Sequence, residues 1–297
     1  MAVSAKAVQQ LGRQHARTQS QTAIAMRQLL RNPTAIAGGI ITACLILVAL
    51  IAPVIAPYDP LDQNFSEALR SPSRQHLFGT DDVGRDLFSR VVFGTRISLR
   101  VGFVAVAIGG GVGVFLGMLA GFYSGVVDNL VMRFVDVLLA FPGLLLALAI
   151  VAVLGPGLFN VMIAVGIGNV PVYTRMARAT TLSVRERDYV LAGRSIGCSD
   201  ARLLIRYILP NAIAPVIVLA TLGVAGAILT AASLSFIGVG AQPPSPEWGA
   251  MLTLARQYLQ RAWWFTLFPG VAIMVTVLAI NMLGDGLRDA LDPRLRV

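Results

Sequence analysis

The run from Tyr189 to Asn211, YVLAGRSIGCSDARLLIRYILPN, places Arg194, Arg202 and Arg206 in a chain of which only 13% is charged. Ser199 is a good helix N-cap, and Asp200 suits the positive end of the helix it would open. Gly197 suits the left-handed shape that ends the helix before it. The run therefore reads as two short helices hinged at Gly197, with Pro210 marking the boundary to the next apolar stretch. The first helix sets Tyr189, Val190 and Ala192 among Arg187, Asp188 and Arg194. A helix of this kind lies on a surface or docks in a partner's groove. A basic helix on lipid head groups would carry the same charge, so charge alone leaves both open.

Other constellations point away from catalysis. A Walker A loop needs a Lys that reaches the phosphates, and the only lysine is Lys6, in SAKAV. No Ser/His/Asp set or paired-carboxylate arrangement stands out. Cys44 lies in an apolar run and Cys198 in the basic one, which argues against a disulfide. With His15 and His76 also far apart in sequence, no metal site is expected. Asp81, Asp82 and Asp86 lack EF-hand spacing. Pairing with Arg85 and Arg90, or capping of a short helix, is the expectation there. No catalytic residue and no cofactor held by this chain are expected.

The elements that must position the basic run are membrane spans. Hydrophobic residues are 56% of the 297, which places the chain among integral membrane proteins. A crossing takes about 20 apolar residues. Uncharged runs from Asn32 to Tyr58 and from Val101 to Val127 supply two. The uncharged run Val137–Thr174 is too long for one crossing and is broken at Gly155-Pro156-Gly157, so two spans are read, the first from near Leu130. A fifth starts near Asn211 and gives way to a loop at Pro243, Pro244 and Pro246, and Ala262 to Gly284 is the sixth. The side holding both termini and residues 175–210 carries 16 of the 24 basic residues, so it is expected to be cytoplasmic. This gives an N-terminal segment 1–33, expected to stay uncleaved, a six-helix domain 34–288 and a tail 289–297. Within the domain lie an external segment 58–96 and a cytoplasmic loop 178–210. In the tail region, Arg288, Asp289 and Asp292 are read as fixing the C-terminus on the cytoplasmic face. The net charge of +9 is read as concerning orientation and membrane lipid, with no nucleic-acid partner.

In the second span Gly109, Gly113, Gly117 and Gly121 recur every four residues on one ridge, which lets another helix approach closely. The partner helix could belong to this subunit or to another. Trp263 and Trp264 open the last span as interfacial anchors. Few ionisable groups lie in mid-membrane, which argues against a proton-driven carrier.

The pattern Ala192-Gly193-x3-Gly197 followed by Leu209-Pro210 resembles the "EAA" loop of binding-protein-dependent ABC importer permeases. Leu191 stands where that family usually has Glu, and Gly193 where it has a second Ala. HLFGTDDVGRDLFSRVVFGTRISL (76–99), SLSFIGVGAQPPSPEWGAML (233–252) and GDGLRDALDPRLR (284–296) are similar to segments of dipeptide and oligopeptide permeases, the second permease of the pair. The resemblance implies an all-α type I ABC importer permease fold with six transmembrane helices and both termini cytoplasmic, in a bacterial or archaeal plasma membrane. It implies a coupling helix, with Arg187, Asp188, Tyr189, Ala192, Gly193, Gly197, Ser199, Asp200, Leu209 and Pro210 in the loop that meets an ATPase. The implied partners are a homologous permease, two cytoplasmic ATPases that bind ATP and Mg, and an extracytoplasmic solute-binding protein. Dipeptides, oligopeptides, glutathione and nickel chelates are the implied solutes, and no solute-contacting residue is assigned. A sodium-coupled carrier and a non-transporting, lipid-binding scaffold are the alternatives.

Overall fold

The computed structural model describes residues 28–291. Helix α1 (Pro33–Ile55) starts where Asn32 accepts from the Thr34 and Ala35 amides and Pro33 fills the first turn. A looped segment with one 3-10 turn, Phe65–Glu67, leads to α2 (Leu87–Tyr123), capped by the Asp86 carboxylate on Ser89 N. Then come α3 (Gly125–Leu139), α4 (Gly143–Leu154) and α5 (Leu158–Arg185). The basic run forms α6 (Asp188–Ser195) and α7 (Asp200–Leu203), and a π-helical turn Leu204–Ile208 joins α7 to α8 (Leu209–Ile237). A short α9 (Trp248–Ala255) precedes α10 (Trp263–Leu291). Among the described residues the only β pairing is the isolated bridge between Thr80 and Asp86.

Four helical stretches are long and apolar enough to cross a membrane: α1, α2, the continuous α7–α8 stretch and α10. The bent pair α3–α4 makes a fifth candidate. Helix α5, despite its 28 residues, is not among them; Asn160, Asn169 and Arg175 interrupt its apolar run. It is instead the helix against which α2 packs most closely. Gly109, Gly113, Gly117 and Gly121 all face it. A Cβ on Gly109 would stand 2.7 Å from Gly166 O, one on Gly113 2.6 Å from Tyr173 Cβ, and one on Gly121 2.7 Å from Thr181 Cβ. The ridge thus lies against a helix of the same chain, and larger residues would force the two backbones apart. The central core gathers Val101, Ala105, Val161, Val165, Ile228 and Leu234 from α2, α5 and α8.

Several boundaries differ from the sequence expectations, each for a local reason. The span expected from Leu130 begins at Gly125 and turns by 93° between α3 and α4, because Pro142 has no N–H to continue the helix. Helix α2 starts at Leu87, within the segment 58–96 that the sequence sets apart, because the Asp86 carboxylate caps it there. The loop expected from residue 178 starts only after Arg185, because α5 runs on that far. Pro210 does not separate helices either. The widened π turn ahead of it absorbs the missing amide and the helix continues through Pro210. Helix α10 likewise runs to Leu291 and takes in Arg288 and Asp289. Trp263 is exposed, but Trp264 is buried, its indole N–H 3.3 Å from Thr80 O. Residues 1–27 and 292–297 lie outside the described residues, and with them the expectations for Asp292, for the N-terminal segment up to residue 27 and for most of the tail.

Candidate functional site

The basic run is folded back under the ends of α2 and α5. Helix α6 ends in a Schellman motif. Gly197, at φ +81°, sends its amide to Arg194 O at 3.0 Å, and the Cys198 amide reaches Gly193 O at 3.0 Å. This reversal sets α7 beside α6. Val190, Leu203 and Ile208 are fully buried and close on Met118, Phe122 and Val184. Tyr189 stacks on Tyr207, ring centroids 6.3 Å apart.

The fold sorts the expected site residues into two sets. Arg187, Asp188, Tyr189 and Ala192 stand on the exposed face, together with Leu191 and Ile196, the last 80% exposed. Gly197, Ser199, Asp200 and Pro210 are also exposed, and Leu209 is half-buried. Gly193 is not available to a partner. It is buried, and a Cβ there would lie 3.1 Å from Leu203 Cδ2. Glycine at 193 is therefore fitted to the α6–α7 contact. Ser199 occupies the N-cap position, but its side chain makes no cap bond. Among the described residues the ion pairs near this end are Arg175–Asp136, Arg178–Asp128 and Arg185–Glu186. Arg187, Arg194, Arg202 and Arg206 have no carboxylate partner among them. Arg194 instead lies over the Phe122 ring, 5.5 Å from its centroid. The surface is a ridge of small and apolar side chains flanked by free guanidinium groups, suited to a groove with an acidic rim.

At the other end of α2 the segment between α1 and α2 closes on itself. Asp81 accepts from the Val83 and Arg85 amides and from Arg85 Nε at 2.6 Å, and faces Arg90 Nε at 3.5 Å. Arg90 also donates to Pro60 O at 2.7 Å and lies 3.4 Å from Pro244 O and Ser245 O. It joins the segment after α1 to the loop before α9. The expected pairing with Arg85 and Arg90 is present, and Asp86 caps a long helix, not a short one. Among the described residues no group of three His, Cys, Asp or Glu could hold a metal.

Sequence reasoning missed His76. Its Nδ1 lies 2.9 Å from Asp86 Oδ1 and its Nε2 2.9 Å from Glu67 Oε2. Burial alone would lower its pKa, but the hydrogen bonds and charges of Asp86 and Glu67 outweigh this and raise it above 6.5. Glu247 was also missed. It is 2% exposed and caps α9 through Ala250 N at 2.9 Å, and burial pushes its carboxyl up against the opposing pull of the Gly249 and Ala250 amides. Nothing in sequence spacing signals the His76 arrangement, since Glu67 and Asp86 are brought to the ring by the path of the segment between α1 and α2, whereas Glu247 is a local cap, three residues ahead of the amide it holds.

Known proteins resemble this chain along most of its length. Residues 113–297 match the family described as binding-protein-dependent transport system inner membrane component. Residues 20–72 match the N-terminal transmembrane domain of oligopeptide transport permease C. The dipeptide transport system permease protein DppC of Alkalihalophilus pseudofirmus is 50% identical over 272 residues, 92% of this chain and 90% of that one. The glutathione transport system permease protein GsiD of Pectobacterium atrosepticum is 46% identical over 271 residues, 91% of this chain and 90% of its own. A chain of the MetNI methionine ABC transporter, in an inward-facing crystal form, shares the fold with a TM-score of 0.56. It is 19% identical and covers 69% of this chain and 98% of its own.

Proposed function

The chain belongs to the family of binding-protein-dependent transport inner membrane components, and from that premise we propose how this permease of an ABC importer is coupled and what it carries. The exposed face of α6, centred on Ala192 and Leu191, seats in a cleft of a cytoplasmic ATPase. Two such ATPases hold the ATP and Mg for which this chain has no Walker A lysine. A homologous permease completes the path, and an extracytoplasmic binding protein delivers the solute. ATP binding closes the ATPases, displaces α6 and shifts the pair of permeases between inward-open and outward-open states, which requires ATP to bind the two states unequally. The solute is a short peptide of about di- to tripeptide size, glutathione included. The names of relatives nearly half identical to this chain support that class.

The observation that carries the coupling reading is the unpaired, half-apolar face of α6. Leu191 is 42% exposed there, so the contact at this position is apolar instead of an ion pair. The topology proposed is six spans, with α5 as the fourth, shielded by α2 and α4, and both termini cytoplasmic. The test is made on the assembled importer with Cys44 and Cys198 replaced by Ala. Single cysteines at Ser73 and Gln242 should react with an impermeant thiol reagent from outside, and one at Ser183 should not. The ATPases should co-purify and turn over faster with loaded binding protein. Labelling at position 183 in sealed cells overturns the topology, and purification free of ATPase overturns the coupling reading.

A further inference from the structure

The joint between α2 and α3 is one residue wide. Ser124 and Gly125 sit at φ +55° and +56°, a region that serine seldom adopts. The last carbonyls of α2 lack intrahelical amides, and Ser124 makes no side-chain cap for α3. Arg185, the last residue of α5, reaches across to them. Its Nη1 donates to Gly121 O at 2.8 Å, to Phe122 O at 3.3 Å and to Ser124 Oγ. A cation at a helix C-terminus also meets the negative end of the macrodipole.

Two further connections converge on the same joint. Phe122, whose carbonyl Arg185 holds, carries Arg194 of α6 over its ring and packs against Val190. Beyond the joint, α3 is fastened to α5 by Arg178, whose Nε and Nη2 reach Asp128 at 2.5 and 2.6 Å, and by Arg175 on Asp136 at 2.7 Å. A displacement of α6 therefore reaches the α2 end through Phe122, and it reaches α3 both through the ion pairs on α5 and, where the Ser124 joint is held, directly from α2.

We propose that Arg185 is a positioning residue for transport: it locks the α2–α3 joint to the end of α5 so that movement of α6 is delivered to α3 and α4. The proposal rests on the reading of α6 as the ATPase contact. Arg185 is half-buried and holds main-chain oxygens, so its loss unfastens the joint without altering the exposed face of α6.

The test uses the complete importer in lipid vesicles, with dipeptide-loaded binding protein, and reads three quantities: ATPase retained, ATP hydrolysed, and peptide taken up per ATP. Arg185→Gln should keep ATPase retention near the wild-type level while uptake per ATP falls about tenfold, a loss confined to coupling. Arg185→Lys keeps the charge but not the fork, and should fall by about threefold. An unchanged uptake per ATP in Arg185→Gln overturns the proposal. If that variant does not assemble, Arg185→Lys decides, and an unchanged ratio there overturns it equally. Failure of the wild-type complex to retain an ATPase would instead sink the reading of α6, which distinguishes the two failures.

Discussion

Arg90 and Arg194 lie near opposite ends of α2, separated by a helix stretch of about 50 Å at about 1.5 Å per residue, and they are used in opposite ways. Arg90 is 1% exposed and surrounded by Asp81 and three main-chain carbonyls. Arg194 is exposed and lies over an aromatic ring, with no carboxylate partner among the described residues. The same contrast holds for their neighbourhoods. In the segment between α1 and α2 Arg85, Asp81, Asp86 and His76 are all buried and all paired. Around α6, the guanidinium groups at 187, 202 and 206 are left in the open. A buried charge must find its partner inside the chain, because no water is there to solvate it. An exposed charge is already satisfied by water and stays free for another molecule. The first region is therefore a closed structural lock, and the second is a surface.

The largest expected effect breaks the lock. Asp81→Ala leaves Arg85 and Arg90 buried without their carboxylate, a defect that costs about 3–5 kcal/mol. Chemical denaturation of the purified permease pair should show the loss directly. Gln substitutions at Arg187 and Arg202 in the same assay should stay within about 0.5 kcal/mol. Equal destabilisation of both ends would mean that the buried and the exposed charges contribute alike to the fold.

A middle-sized effect tests the surface. Gly197→Val forces a β-branched residue to φ +81°, at a cost of about 1–2 kcal/mol, and tilts α7 away from α6. Ala192→Asp puts a charge at the centre of the exposed face. Both should insert and fold, and both should weaken ATPase retention about tenfold, equivalent to about 1.4 kcal/mol. If retention is normal in both variants while Arg187→Gln, Arg194→Gln and Arg202→Gln release the region from vesicles, α6 is a lipid anchor instead.

The smallest effect is a pH dependence that comes from the segment between α1 and α2. Both ring nitrogens of His76 face carboxylates, and only the imidazolium donates to both. Glu67 is held in turn by Arg70 at 3.0 Å, and the Tyr58 ring lies against the imidazole. With the folded pKa raised above 6.5, the contribution is complete below that value. It is lost as pH climbs through the raised one. Stability should therefore fall from mildly acidic to mildly alkaline pH, and His76→Gln should flatten the profile. A wild-type profile already flat over that range would show that the sandwich carries no protonation energy.

Features that depend on near neighbours in sequence were legible in advance. The apolar runs predict α1, α8 and α10. Gly197 falls in the left-handed region and ends α6 as its place in the run suggests. The four-residue glycine ridge announces a close helix contact. Where the reading strayed, a residue's local preference met a longer-range fit. Trp264 has the position of an interfacial anchor but fills a space beside Thr80. Pro210 is a helix breaker carried through by a π turn. Ser199 holds the N-cap place without using its hydroxyl.

The sequence alone determined that this is a membrane-embedded helical protein with a basic, hinged segment, because hydropathy, charge and turn chemistry are properties of residues and their immediate neighbours. Tertiary structure decided which charges are locked and which are free. Arg178 finds Asp128 50 residues away and Arg185 finds Ser124 61 residues away, while Arg187, with the same side chain, finds no carboxylate among the described residues. No spacing rule distinguishes these arginines, since their partners are set by how α5 packs along the glycine ridge of α2.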